Sequence, residues 1–344
     1  MRAFVQGLLT GHGPLIPLLA LVSVGALVFL VASRLSHHAD TIGDETGFGG
    51  LWIGTVLLAA ATSLPEVLTD LNAALLDTPN IGVGDLFGAN LANMMILAVL
   101  DLVFARRRIL EHVAREHIRF GLLGIVLMGM AGTGILTGGW ARIGHIGLDT
   151  LMIALVYLGG MRLLYRSTAS LLRPVGVADA RSPERARLQG AAVGFALGTI
   201  GLLVLTPLLV LSAEAVSLET GVSTTFVGTL LVGLTTTLPE LGTTYAAIRL
   251  GAFDLAVGNL FGSVIFNMII LLLMDAAYPR GPLLGLVAQD HLLTVGLAIT
   301  CLTLGIVAIL SRSRRHAGSL RLENILIIAT YIGGLWLLYS LGVA

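Results

Sequence analysis

Residues 62–66 read Thr-Ser-Leu-Pro-Glu, and residues 236–240 read Thr-Thr-Leu-Pro-Glu. The offset between them, 240 − 66 = 174, also carries Leu86-Phe87-Gly88 onto Leu260-Phe261-Gly262 and Asn93-Met94 onto Asn267-Met268. It carries Asp101 onto Asp275 and Glu45-Thr46-Gly47 onto Glu219-Thr220-Gly221 as well. About 20 of the 48 positions from Gly54 to Asp101 match without a gap. Self-similarity at a fixed offset means that one structural unit is built twice.

The medium around those units follows from composition. The chain has 344 residues, is 56% hydrophobic and 12% charged, and has a mean hydropathy of +0.93. Soluble domains carry about 25% charged residues, so this chain cannot clothe a water-facing surface and reads as an all-α integral membrane protein. Ten stretches have the roughly 20 apolar residues that a hydrocarbon core about 30 Å thick requires. They are 15–35, 51–75, 81–104, 118–136, 146–165, 191–211, 225–250, 255–278, 292–311 and 322–341. The first is too long for a signal-peptide core, and Ser33-Arg34 is no cleavage site. A net charge of zero argues against nucleic acid as a partner. The lone Cys301 excludes an internal disulfide and a cysteine metal cluster. No soluble domain fits between the spans, so an ATP-hydrolysing domain on this chain is excluded. With no phosphate loop or nucleophile triad present, no enzyme activity, cofactor or protein partner is expected.

All 20 basic residues are arginine. Arg2, Arg142 and Arg280 fall on the side that holds the N-terminus, and the other 17 fall on the opposite side, after odd-numbered spans. The positive-inside rule then puts both termini outside and the Arg-rich loops in the cytoplasm, and the plasma (inner) membrane is the expected location. Shifting by 174 places span one on span six and span four on span nine. The chain is therefore expected to be two five-helix repeats: residues 1–165 (repeated motif about 54–101) and 188–344 (motif about 228–275), joined by a cytoplasmic linker, 166–187. Five is odd, so the second repeat enters from the opposite face, an inverted repeat of the kind that builds many secondary transporters.

The best-conserved matches between the copies are polar and lie mid-span, which packing alone does not require. Glu66 and Glu240 sit near the middle of spans two and seven, where a charge costs ~2.5–3.5 kcal/mol on insertion scales. Ser63-Leu64-Pro65-Glu66 and Thr237-Leu238-Pro239-Glu240 each have the form of a capping box with proline in the first turn. Each span is expected to break near Thr62 and Thr236, exposing carbonyls from about Ala59 to Ala61 and from Gly233 to Thr235. Asn93 and Asn267 lie mid-span on spans three and eight, with Ser263 one turn before Asn267 on the same face. Gly84, Gly88, Gly258 and Gly262 allow these helices to approach closely. The donors are all oxygen, with no His or Cys, which disfavours copper and zinc and suits Ca2+ with its six to eight oxygen ligands. Two carboxylates neutralise one Ca2+ or two monovalent cations, and holding one load or the other is the basis of exchange.

The segments TSLPE…GDLFGANLANM and TTLPE…GNLFGSVIFNM resemble the two alpha repeats of the cation/calcium exchanger superfamily, and are most similar to its Na+/Ca2+ branch. The resemblance implies that Glu66 and Glu240 hold Ca2+ with help from Thr62 and Thr236. It implies Na+ sites using Ser63, Thr237, Ser263 and carbonyls near Ala59 and Gly233, with Asn93 and Asn267 at the centre. It also implies alternating access, with spans one and six sliding over a fixed core; Gly190, Gly194 and Gly198 on span six suit either a sliding face or tight static packing. The chain departs from the family at Ala61 and Thr235, where glycine is usual, at Ala89, where serine is usual, and at Asn267, where some members carry Asp. Asp70, one turn beyond Glu66, lines an access path or faces water. His37-His38 with Asp40, and His112 and His117 in an Arg-rich loop, read as solvated faces. The expected exchange is thus Ca2+ for Na+; the alternative is H+ for Ca2+ or another divalent cation, a reading made easier by the missing hydroxyl at Ala89. A cation channel and a non-transporting scaffold are the other readings.

Overall fold

The computed structural model describes residues 2–46, 62–105, 109–113, 116–169, 185–311 and 322–342. Nearly all of them are helical. In chain order the principal helices are α1 (Arg2–Leu9), α2 (Leu15–Thr46), α3 (Leu64–Leu75), α4 (Pro79–Val103), α5 (Glu116–Leu136), α6 (Leu148–Ala169) and α7 (Arg185–Thr220). After a broken stretch come α8 (Leu238–Leu250), α9 (Phe253–Ala277), α10 (His291–Leu310) and α11 (Leu322–Gly342). A two-residue hairpin, Arg142–Ile143 with Ile146–Gly147, turns between α5 and α6. Among the described residues seven helices are long and apolar enough to cross a bilayer. They coincide with expected spans one, three, four, six, eight, nine and ten. The fifth expected span falls on α6. The second has only α3 within the described residues, and the seventh is divided. Most of the expected linker lies outside the described residues, and α6 and α7 reach into its two ends.

The architecture is concentric. Helices α4 and α9 are the most enclosed, and α3, α5, α8 and α10 pack around them, while α2, α7 and α11 present much of their apolar surface outward. The core around α4 and α9 includes residues that are mates under the repeat: Phe87 and Phe261, Met94 and Met268, Leu97 and Leu271, all essentially buried. Lipid is as apolar as leucine, so close packing and small residues, rather than water exclusion, hold such helices together. Glycine makes the tightest approach possible. A Cβ on Gly88 would stand 2.2 Å from the Thr229 carbonyl oxygen, and one on Gly228 would stand 2.4 Å from that of Ile81.

The long helices α2 and α7 lie along one another. Gly194, Gly198 and Gly201 face His38, Leu35 and Val31 of α2. Gly194 and Gly198 of the expected small-residue ridge thus lie in the seam of the α2–α7 pair, joined there by Gly201, whereas a Cβ on Gly190 would meet nothing within 4 Å. The N-terminal helix is fastened to the same face as the ends of α3 and α7. Arg2 donates to the Leu76 carbonyl and pairs with Glu214, and Gln6 donates to Glu214 at 2.6 Å.

Buried polar side chains outside the centre anchor the helix ends in matched pairs. Asp101 accepts from Asn324 at 2.7 Å, and its mate Asp275 accepts from Thr150, the mate of Asn324. Asp275 also takes the Leu283 and Gly147 amides, at 2.8 and 2.7 Å. His117 meets Asp254 at 3.2 Å, and its mate His291 meets Asn80, the mate of Asp254, at 3.3 Å. His117 is therefore not on a solvated face: α5 brings it against the start of α9, where an acid receives it.

Candidate functional site

Pro65 and Pro239 fall in the first turn of α3 and α8, where a missing N–H costs least, and each starts a half-helix inside the protein. The start signals act as the sequence suggests, but the capping bonds do not form. Ser63 and Thr237 occupy the cap positions without accepting from their own helices' free amides. Ser63 instead donates across the molecule to Glu240 Oε1, at 3.2 Å, and lies 3.1 Å from Ser263 Oγ. Ser263 reaches the same Glu240 oxygen at 3.4 Å. Glu240, Ser63 and Ser263 are thus one cluster built from α3, α8 and α9.

The break before α8 differs from the expected unwinding. The chain widens into a π-helix at Val227–Val232, returns to helix at Gly233–Thr236, and turns once at Thr237. Gly233 does not present a free carbonyl: that oxygen accepts the Thr237 amide at 3.3 Å and the Thr237 hydroxyl, and the Thr236 hydroxyl is 3.3 Å away. A wide turn followed by threonines that bond back to the backbone absorbs the break without opening it. Ala59 and Ala61 lie outside the described residues. The hydroxyl of Thr237, expected in a Na+ site, donates to the Gly233 carbonyl of the preceding turn.

The two glutamates are each served by the threonine of the other repeat. Thr62 bonds Glu240 and lies 3.5 Å from Asn259 Oδ1. Thr236 bonds Glu66 and donates to Asp85 Oδ1 at 2.8 Å. Glu66 and Glu240 are 1% and 0% exposed, and each keeps one oxygen, Oε2, with no hydrogen-bond partner. They stand within Coulombic reach of one another. At the centre, Asn267 donates to Asn90 at 3.0 Å, while both polar atoms of Asn93 are buried without a partner. The difference follows from the repeat, because the position that mates with Asn90 is Val264.

Three buried residues of this region, Asp85, Asn90 and Asn259, were hidden in apolar helices. A signal was available for two of them. Asp85, Ala89 and Asn93 follow at i, i+4, i+8 on α4, as Asn259, Ser263 and Asn267 do on α9, so each trio shares a face. Asp70, left between two readings, is fully buried. Among the described residues no three His, Cys, Asp or Glu side chains converge on one point. A cation here would need hydroxyl, amide or carbonyl oxygens beside the carboxylates. Buried polar atoms without partners cost about 1–3 kcal/mol each, more when charged, and oxygen donors of this kind are the type that hard cations take.

Half-helices meeting at buried carboxylates inside a multi-pass helical membrane protein define an ion-transporter class of fold. The chain belongs to the sodium/calcium exchanger family, within the cation/calcium exchanger superfamily: the model of that family, described as sodium/calcium exchanger protein, matches residues 16–166 and 190–340. Inner membrane protein YrbG of Escherichia coli (strain K12) is 30% identical over 268 residues, 76% of this chain and 80% of that one. The fold is shared with the sodium-calcium exchanger NCX_Mj soaked with Na+ and Sr2+, at a TM-score of 0.60 and 20% identity, covering 92% of this chain and 98% of that one. It is shared equally with the H+/Ca2+ exchanger CAX, at 0.62 and 15%, covering 96% and 89%. The protein is a multi-pass integral membrane protein of a cation/Ca2+ antiporter family.

Proposed function

We propose that this protein exchanges Ca2+ for Na+ across the plasma (inner) membrane by alternating access, as ten transmembrane helices arranged in two inverted five-helix repeats. In this reading the termini face outward and the Arg-rich loops face the cytoplasm. The observation that carries it is the pairing of Glu66 and Glu240, buried at mates under the repeat, each with a bare oxygen and a threonine supplied by the other repeat. Two carboxylates match one Ca2+, and hydroxyls around them suit Na+ once Ca2+ leaves. Ser63, Ser263 and Thr62 would complete the Glu240 side. Thr236 would complete the Glu66 side, with Asn93 and Asn267 between them.

One observation favours H+ as the counter-ion. The hydroxyls are unequally shared: two serines reach Glu240, whereas Ala89 and Thr237, at the matching places, bring none to Glu66. A carboxylate with few oxygen neighbours holds a proton more readily than Na+. Uptake of radiolabelled Ca2+ into everted vesicles separates the two. Uptake that follows an imposed Na+ gradient supports Na+ coupling; uptake that ignores Na+ and follows a pH gradient supports H+ coupling. Ca2+ flux with neither gradient would favour a channel.

A further inference from the structure

The repeat allows the two sides of the site to be compared atom by atom, and one side lacks its donors. Beyond Glu240 the chain of contacts runs through Thr62 to Asn259 Oδ1, and Asn259 Nδ2 donates to the hydroxyls of Thr243 and Thr244, at 3.0 and 3.3 Å. Beyond Glu66 it runs through Thr236 to Asp85 Oδ1. The mates of Asn259, Thr243 and Thr244 are Asp85, Thr69 and Asp70. An amide with two hydrogens is thus replaced by a carboxylate oxygen with none, and one of the hydroxyls it served is replaced by a second carboxylate.

The consequence is visible in the hydrogen bonding. Asp70, Asp85 and Thr69 are all 0% exposed. Asp85 Oδ2, both oxygens of Asp70 and the Thr69 hydroxyl have no hydrogen-bond partner. The two aspartate carboxyls lie within hydrogen-bonding reach of each other, and Glu66 is within Coulombic reach of both. No ion pair among the described residues involves either aspartate. Thr69 is the independent pointer: the mate of Thr243, it carries a fully buried hydroxyl without a hydrogen-bond partner. Unpaired buried carboxylates cost several kcal/mol, a cost that a cation, or a proton shared between the two, would offset where the Asn259 amide hydrogens stand in the other repeat.

We propose that Asp70, Asp85 and Thr69 hold a second hard cation, Na+ or Ca2+, linked to Glu66 through the Thr236 hydroxyl. It lies between Glu66 and the face that carries α1, because α3 ends on that face at Leu76, whose carbonyl Arg2 caps. The two approaches to the central site are then unequal: one passes an acidic holding position, and the other passes the neutral Thr244–Asn259 pair. The inference rests on the central site being a cation site as proposed above.

Equilibrium binding of radiolabelled Ca2+ and Na+ to the purified full chain tests it. Asp70→Thr with Asp85→Asn copies the residues already present in the other repeat. This double variant should lose one bound cation per chain, for at least one of the two ions, while Glu240→Gln retains that cation. If the double variant failed to purify as a single species, the reverse graft, Thr244→Asp with Asn259→Asp, carries the test and should gain one. Unchanged counts in the double variant, or no gain in the graft, alongside a loss in Glu240→Gln would overturn the second position and leave a proton-sharing pair. Unchanged counts in Glu66→Gln and Glu240→Gln would instead overturn the central site.

Discussion

Ser263 and Ser63 converge on a single oxygen of Glu240, and what each contributes can be read by deleting one hydroxyl. A hydrogen bond to a charged group is worth about 1.5–3 kcal/mol, so Ser263→Ala should raise the Ca2+ half-saturation by about tenfold or more. Transport titrations would check it. On the Glu66 side the hydroxyl is already missing at Ala89. Ala89→Ser would restore the mate of Ser263 and should strengthen dependence on Na+, read as a lower half-saturating Na+ concentration in Ca2+ uptake; no change would show that position 89 does not face the ions. The asymmetry between the two repeats, rather than either one alone, is what sets these expectations apart.

At the scale of elements, the crossing of α4 with the π-helical stretch is the tightest contact, and it depends on two glycines. Gly88→Ala would place a methyl carbon 2.2 Å from a backbone oxygen of Thr229, which cannot swing aside as a side chain could. Overpacking of this kind costs about 1–3 kcal/mol. The variant should melt measurably lower and transport poorly, while Gly242→Ala, with nothing within 4 Å, should do neither. The repeated string around Glu66 and Glu240 made the half-helix starts legible, because proline in a first turn acts locally. The π-helical turn was not legible: α4 crosses it at Gly228, and a contact with Ile81 and Gly84 is not local in sequence. Asp85, Asn90 and Asn259 are hard to see in the sequence, because a helix read for length and apolarity discloses its polar face only when residues are followed at intervals of four.

For the whole molecule, the offset of 174 organises more than the ion site. It pairs the anchors at Asp101 and Asp275 and the histidine contacts at His117 and His291, and at several mates one repeat keeps an acid where the other keeps an amide or hydroxyl. That exchange of acid for neutral makes the two faces chemically different despite a shared scaffold. Sidedness is open to a direct check, since the native Cys301 is buried. A membrane-impermeant maleimide should label Arg142→Cys in intact cells and Arg249→Cys only in everted vesicles; the reverse pattern would invert the orientation. The central claim, that one Ca2+ is carried between Glu66 and Glu240, is tested most directly by radiolabelled Ca2+ uptake into everted vesicles under an imposed cation gradient, comparing wild type with Glu66→Gln and Glu240→Gln. Uptake should fall to background in both variants while each remains folded in the membrane; full uptake in either one would contradict the site.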